Sequence, residues 1–231
     1  MNPTSALYLA FRKVDEAMQG TLDGTKIESI KETISTFAVS AAITSMLAGA
    51  LPGVAGVVAG LANAGLIWGT YIKINKTLGI SMSEHTAKFI GTAIMTNIIA
   101  NAGTMLVEIA ASAILSFIPI IGQYAAGAID AAIGYILVYV SAIIYLNLIA
   151  QFVEPDGTLK VDENDDTKHI IEEAVRNANV ADLIKEGRTA FKQAKADGTI
   201  DKARKKGRCP KCNASVKPQQ RFCSECGTSL L

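Results

Sequence analysis

Residues 33–72 read TISTFAVSAAITSMLAGALPGVAGVVAGLANAGLIWGTYI, forty residues without a charged side chain, interrupted only by the Leu51-Pro52-Gly53 break. The pattern continues: residues 89–107, 109–129 and 131–153 are uncharged too. Between residues 33 and 153 there are only six charges, Lys73, Lys76, Glu84, Lys88, Glu108 and Asp130. A helix that crosses a bilayer needs roughly 20 consecutive apolar residues, and each run reaches or nearly reaches that length. Proline removes a backbone donor and glycine supplies turn conformations. The block therefore divides at Leu51-Pro52-Gly53, at residues 81–84 with Ser83 as an N-cap, and from Ile118-Pro119 to Gly122. Four hydrophobic helices result, paired as two Gly/Ala-rich hairpins in an all-α fold.

Gly127, Gly134 and Ser141 recur every seven residues on one helix face, where the missing side chain lets a neighbouring backbone come close. Asn97, Asn101, Thr104, Glu108 and Ser112 share an arc of about 80°, at about 100° per residue, and form a polar stripe. Glu108 and Asp130 stand at similar depths in the second hairpin, about 12–14 Å from its turn at 1.5 Å per residue. In a spanning hairpin they would be intramembrane carboxylates, protonated or bonded to Asn97 or Asn101. The simpler reading is a polar face that satisfies packing.

The flanks are amphipathic. In an N-terminal leader, residues 1–32, Leu7, Phe11, Val14 and Met18 make a helical stripe ending near Gly20, and Ile27, Ile30 and Ile34 continue a second one. Residues 154–200 are a polar connector with Pro155 and Gly157, followed by two helices. The first buries Ile170, Ile171, Ala174 and Val175 after an Asp165/Asp166 cap; the second buries Leu183, Ile184, Phe191 and Ala194 after Asn179. Residues 201–208 form a basic linker with Lys202, Arg204, Lys205, Lys206 and Arg208. The net charge of +1 hides an excess of eight positive charges after residue 184, an arm suited to anionic partners.

Residues 209–231 carry the strongest local motif: Cys209-Pro-Lys-Cys212, ten residues, then Cys223-Ser-Glu-Cys226. Two such knuckles present four thiolates tetrahedrally to Zn2+, with Asn213 and Gly227 placed to turn backbone amides toward sulfur. The motif resembles the short zinc ribbons at the ends of many bacterial and archaeal proteins. Four cysteine ligands leave no open position, so the zinc is structural. Arg204, Lys205, Lys206 and Arg208 would suit nucleic acid, but Phe222 is the single stacking aromatic in the ribbon, which disfavours it. A protein contact, or attraction of the linker to acidic lipid, fits better.

Catalytic chemistry finds no support. Gly20 to Lys26 lacks the phosphate-loop spacing, His85 and His169 have no nucleophile nearby in sequence, and the calcium-like series Asp162, Asn164, Asp166 and Glu173 has Thr167 where a hinge glycine belongs. The first sixteen residues lack a secretory signal, and all four cysteines lie at the C-terminal end, which suits a reducing compartment.

Leu51-Pro-Gly53, the stretch from Trp68 to Tyr71, Leu78-Gly-Ile80-Ser81, Phe117-Ile-Pro119-Ile-Ile-Gly122 and Ala131-Ala-Ile-Gly134-Tyr135 together resemble the YcjF-type hydrophobic domain of unknown function, over residues 50–151. The resemblance implies membrane association and a separate GTPase partner, and it assigns no catalytic residue. The expectation is a non-enzymatic protein of the cytoplasmic membrane, both termini cytosolic, with Lys73, Lys76 and Lys88 on the side of the tail. Its partners would be a lipid bilayer and a protein bound by the tail. The rival is a soluble all-α homo-oligomer that inserts on demand as a pore-former or remodeller; a third reading is a membrane-anchored ribbon that binds nucleic acid.

Overall fold

The structure, a computed structural model, describes residues 5–49, 55–115, 123–159, 161 and 164–206. Among these the fold is all-α: α1 Ala6–Ala17, α2 Gly24–Gly49, α3 Ala55–Leu78, α4 Glu84–Leu115, α5 Gln123–Phe152, α6 Asp165–Asn177, α7 Val180–Ala196 and α8 Thr199–Lys206. The turns at Leu51-Pro52-Gly53 and from Phe117 to Gly122 lie outside the described residues.

The stripe expected in the leader is real: Leu7, Phe11, Val14 and Met18 are buried, as are Ile30 and Ile34. The chain leaves α1 through Gln19 and Gly20, both at positive φ, and the Leu22 amide donates to Asp15 Oδ1. Asp23 then caps the next helix by accepting from the Lys26 amide. That helix, α2, runs unbroken to Gly49, so the boundary drawn at residues 32/33 falls inside it. The change from an amphipathic to an uncharged stretch is a change of surroundings along one rod, because nothing between Gly24 and Gly49 breaks a helix.

α2 and α3 form the first hairpin and α4 and α5 the second. Gly79, at φ +79°, closes α3, with the Ile80 amide returning to the Asn75 carbonyl; Ser83 Oγ accepts from the Thr86 amide and opens α4. The hairpins join through α2 and α5, where the small-residue face works as expected. A Cβ on Gly127 would stand 3.2 Å from the Met46 carbonyl oxygen, and one on Gly134 would stand 2.8 Å from that of Ala41.

α5 is the axis of the fold. Ile136, Ile143, Ile144 and Tyr145 are completely or almost completely buried, each contributing about 1.5–3 kcal/mol. Among the described residues one stretch, Gly127–Phe152, is long and apolar enough to cross a membrane, and most of it is buried inside the protein. The covering helices carry charge. From α1, Lys13 donates to Asn147 of α5 at 2.9 Å; from α7, Gly187 lies against Ile136 and Tyr139, and Phe191 meets Tyr135 edge-on at 5.6 Å.

The connector and tail helices belong to the same body. Residues 153–159 fold back on the turn between α3 and α4, bridging Ser81 to Thr158 and Val153 to Leu159. Two local expectations change. Asn164, not Asp165 or Asp166, caps α6 by accepting from the Thr167 amide, and Ile170 is 39% exposed while Ile171 and Val175 are buried. The cap moves because an N-cap must bond the amide three residues on, and Asn164 reaches Thr167. α7 follows its expected cap, Asn179, and buries Leu183, Ile184, Phe191 and Ala194. The expected basic linker is helical from Thr199 to Lys206, with Ile200 buried.

Candidate functional site

Contacts fix the direction of each helix and so define two ends of the bundle. Phe37 lies against Gly69, and Ser45 bonds Asn63, so the two ends of the first hairpin are separated by the length of α2. At the end where α3 meets α4, the Tyr71 and Tyr145 rings stack at 3.7 Å, 4° from parallel. The Tyr71 hydroxyl donates to the Ser141 carbonyl, the Tyr145 hydroxyl donates to Asn75 Oδ1, and Asn75 Nδ2 donates to Met82 Sδ. Burial pushes both phenols well above their ordinary range. Neither has a base to serve, so the cluster is a satisfied polar core that fixes helix register.

Glu186 makes a second knot. Its carboxylate accepts from the Ala6 and Leu7 amides at the start of α1, and from the Tyr139 hydroxyl at 3.0 Å. A helix N-terminus favours an anion, so this one residue of α7 holds α1 and α5 together. Its charge and its position opposite Tyr139 were not legible in the helical periodicity.

Two clefts open on the sides of the bundle. One, of about 680 Å³, is lined by Trp68, Phe89, Asn97, Lys88, Lys168 and Glu172. The other, of about 600 Å³, has Ile143 and Asn147 as its floor and Leu9, Ile170, Glu173 and Asp182 on its walls. His85, Thr92 and Thr96 also line the first.

The polar residues singled out on α4 and α5 do not gather. Asn97 Nδ2 donates to the Ala93 carbonyl and Asn101 Nδ2 to that of Asn97, each bonding back one turn on its own helix. Neither bonds to Glu108 or Asp130. Glu108 is exposed, and partial burial raises the Asp130 carboxyl above its ordinary range. Asn101 is exposed and Asn97 half-buried, with Ile99 between them 52% exposed.

The basic residues take an unexpected position. Burial, aided by the Asp197 carboxylate just after α7, pushes the Tyr135 hydroxyl up to about 12, which places the end of α7 beside Tyr135 of α5. α8 then continues along the bundle, and Arg204 Nη1 reaches Met46 Sδ at 3.9 Å. Met46 also touches Gly127, so Arg204 stands where both hairpins approach their uncharged turns. Lys73 and Lys76 lie toward the opposite end, about 24 Å away along α2 at 1.5 Å per residue. α8 therefore lies away from Lys73 and Lys76, because α7 and α8 run along the side of α5 toward Met46. Lys202 and Arg204 are exposed; the side chains of Lys205, Lys206 and Arg208 lie outside the described residues.

Cys209, Cys212, Cys223 and Cys226 also lie outside the described residues. Their chemistry fits zinc: four soft thiolate donors in two pairs fill a tetrahedral shell and leave nothing open for substrate. A family model for the zinc-ribbon domain matches residues 208–230, which include all four cysteines. No curated protein and no solved structure matches the chain. The likeness of residues 50–151 to the YcjF-type domain rests on its sequence landmarks alone.

Proposed function

We propose that this protein is a non-enzymatic, membrane-associated helical scaffold that carries its zinc ribbon on a basic stalk, as a module for binding a protein partner. One observation supports the reading above others: charge is segregated along the bundle. Residues 33–72 and 109–129 supply no charge to the end where the hairpins turn, while α1, α6 and α7 cover the flanks with charged side chains. A bundle stable in water on all sides has no need of such an end.

Association is end-on. The charged helices alongside α5 would be carried into hydrocarbon if residues 131–153 spanned a bilayer, at a cost of several kcal/mol for each unpaired charge. The ribbon holds zinc through Cys209, Cys212, Cys223 and Cys226 in the reducing compartment, on the cytosolic face of the membrane. The partner class implied by the sequence resemblance is a separate GTPase.

Fractionation of the full-length protein tests the reading. End-on association predicts recovery with membranes and release by alkaline carbonate. Retention until detergent is added would mean hairpins that span. A wholly soluble protein would refute the membrane reading and leave the homo-oligomer, a state that the covering of α5 also suits.

A further inference from the structure

We infer that the cleft between α3, α4 and α6 is a nucleotide-binding site, in which a heteroaromatic base lies against Trp68 and its phosphate is held by Lys88 and Lys168. This site stands apart from the membrane reading, and either can fail without the other.

The cleft has a volume of about 680 Å³, within the roughly 300–1,000 Å³ of small-molecule sites. One face of α4 is its floor. His85, then Lys88 and Phe89, Thr92 and Ala93, and Thr96 and Asn97 follow one another a turn apart, over about 18 Å at 1.5 Å per residue. Trp68 of α3 and Lys168 and Glu172 of α6 complete the lining. Hydroxyls, an amide and charged groups stand among the few apolar side chains, so an aliphatic ligand would strip water from polar groups and return no bonds to them. The two ammonium groups outnumber the one carboxylate, Glu172, which Arg176 already binds at 2.6 Å. Lys88 pairs with Glu84 at 2.7 Å at the exposed start of α4, a pairing weak enough in water to be shared with a phosphate. A flat, polar anion matches this set of groups.

Trp68 points to the base. Its Nε1 is buried and has no acceptor among the described residues, a costly state that folded proteins rarely keep without a reason. Gly91 makes room for that ring edge: a Cβ there would stand 2.6 Å from Cδ1 and 3.0 Å from Nε1. A phenylalanine would give α3 and α4 an aromatic wedge with no donor to strand, so packing alone does not account for an indole. What the indole adds is the larger and more electron-rich face, and Lys88 Nζ stands 5.6 Å from its centroid. A stacking ring and an ammonium group thus adjoin in one cleft, as a base and its phosphate require.

Trp68 is the sole tryptophan of the chain, so its fluorescence reports on the cleft directly. The test titrates the full-length protein with AMP and GMP, and with adenosine and ribose 5-phosphate as their separate halves; calorimetry supplies the affinities of the variants. Saturable quenching by nucleotide is expected, about tenfold weaker binding by adenosine, and no quenching by ribose 5-phosphate. Quenching by one nucleotide and not the other would support the inference and identify the base. Lys88→Gln/Lys168→Gln and Trp68→Leu should each bind the nucleotide about tenfold more weakly, while Lys73→Gln/Lys76→Gln, which removes the same charge outside the cleft, should bind like the native protein. Circular dichroism establishes that each variant is folded; should Trp68→Leu not fold, the two surface lysines carry the test. Absence of quenching and of binding heat at millimolar AMP and GMP would overturn the inference. So would ribose 5-phosphate binding as tightly as AMP, because the ring would then not be read. Adenosine binding as tightly as AMP, with the Lys88/Lys168 variant unchanged, would overturn the phosphate contact, and equal loss in both lysine pairs would remove the site from this cleft.

Discussion

α5 meets its neighbours by opposite means at its two ends. Toward the hairpin turns, Gly127 and Gly134 let the α2 backbone approach so closely that a side chain has nowhere to go. Toward the base, large side chains fill the space, with Tyr145 stacked on Tyr71 and hydrogen-bonded to Asn75. The first end depends on groups that are missing and the second on groups that are present. Added atoms should therefore damage one, and removed atoms the other.

The largest effect is expected from Gly134→Leu. Its Cβ alone would press on the Ala41 carbonyl, a backbone atom that cannot swing aside. Separation of α2 from α5 should cost about 3 kcal/mol, read as a lower urea midpoint. At the other end, Tyr145→Phe removes one hydroxyl and leaves buried Asn75 Oδ1 without its donor, a loss of about 1–3 kcal/mol. The same deletion at Tyr71 should cost less, because the Ser141 carbonyl it serves belongs to a helix. Equal sensitivity to both kinds of change at both ends would break the contrast.

Gly65→Ala sharpens it with an opposite sign. No atom lies within 4 Å of a Cβ built there, so the substitution should stabilise α3 by about 0.5–1 kcal/mol through helix propensity. A destabilised Gly65→Ala would mean that glycine serves this bundle for some reason other than close approach.

The origin of this contrast was partly legible in the sequence. The heptad of Gly127, Gly134 and Ser141 announced a tight helix contact, but not that its partner would be α2 of the other hairpin. A small residue shows where a backbone can come near; it carries no mark of which backbone arrives. The caps at Ser83 and Asn179 were legible because a polar side chain and an amide three residues on form a local unit. The covering of α5 was not. An uncharged run has the same composition whether hydrocarbon or amphipathic helices surround it, and the contacts of Lys13 and Gly187 lie 134 and about 50 residues away in the chain. The zinc-ribbon motif was legible from the cysteine spacing alone, and the family-model match falls on the same residues.

A smaller effect concerns Asp130, near the glycine end. Partial burial raises its carboxyl in the folded protein above the value in the unfolded chain, so the folded state holds its proton more tightly. Above the raised value, the charged form weakens the fold; as pH falls through that value the penalty fades, and it is gone near the ordinary carboxylate range. Asp130→Asn should therefore be slightly more stable than the native chain at neutral pH, and the gap should close on acidification. Glu84 and Asp197, both lowered by bonding partners, change in the opposite direction in both proteins and drop out of the difference. A gap that widens toward acid would show that Asp130 is held by a cation instead of being disfavoured by burial.

The smallest effect on the bundle should come from removing zinc. The core around α5 draws its stability from buried apolar surface, while a ribbon of 23 matched residues is too short to fold on its own core and takes its folding free energy from metal. Chelation, or Cys209→Ser, should abolish zinc content and the ribbon's resistance to protease, yet leave helical ellipticity and the urea midpoint unchanged within about 0.5 kcal/mol. Because α8 enters the tail from the bundle's own surface, the result also measures how far the two regions are coupled. A shift of the bundle's midpoint on chelation would mean that the ribbon packs on the helices and that metal occupancy tunes the scaffold. An unchanged midpoint would make the zinc module a separate body on a shared basic helix, free to engage its partner without disturbing α5.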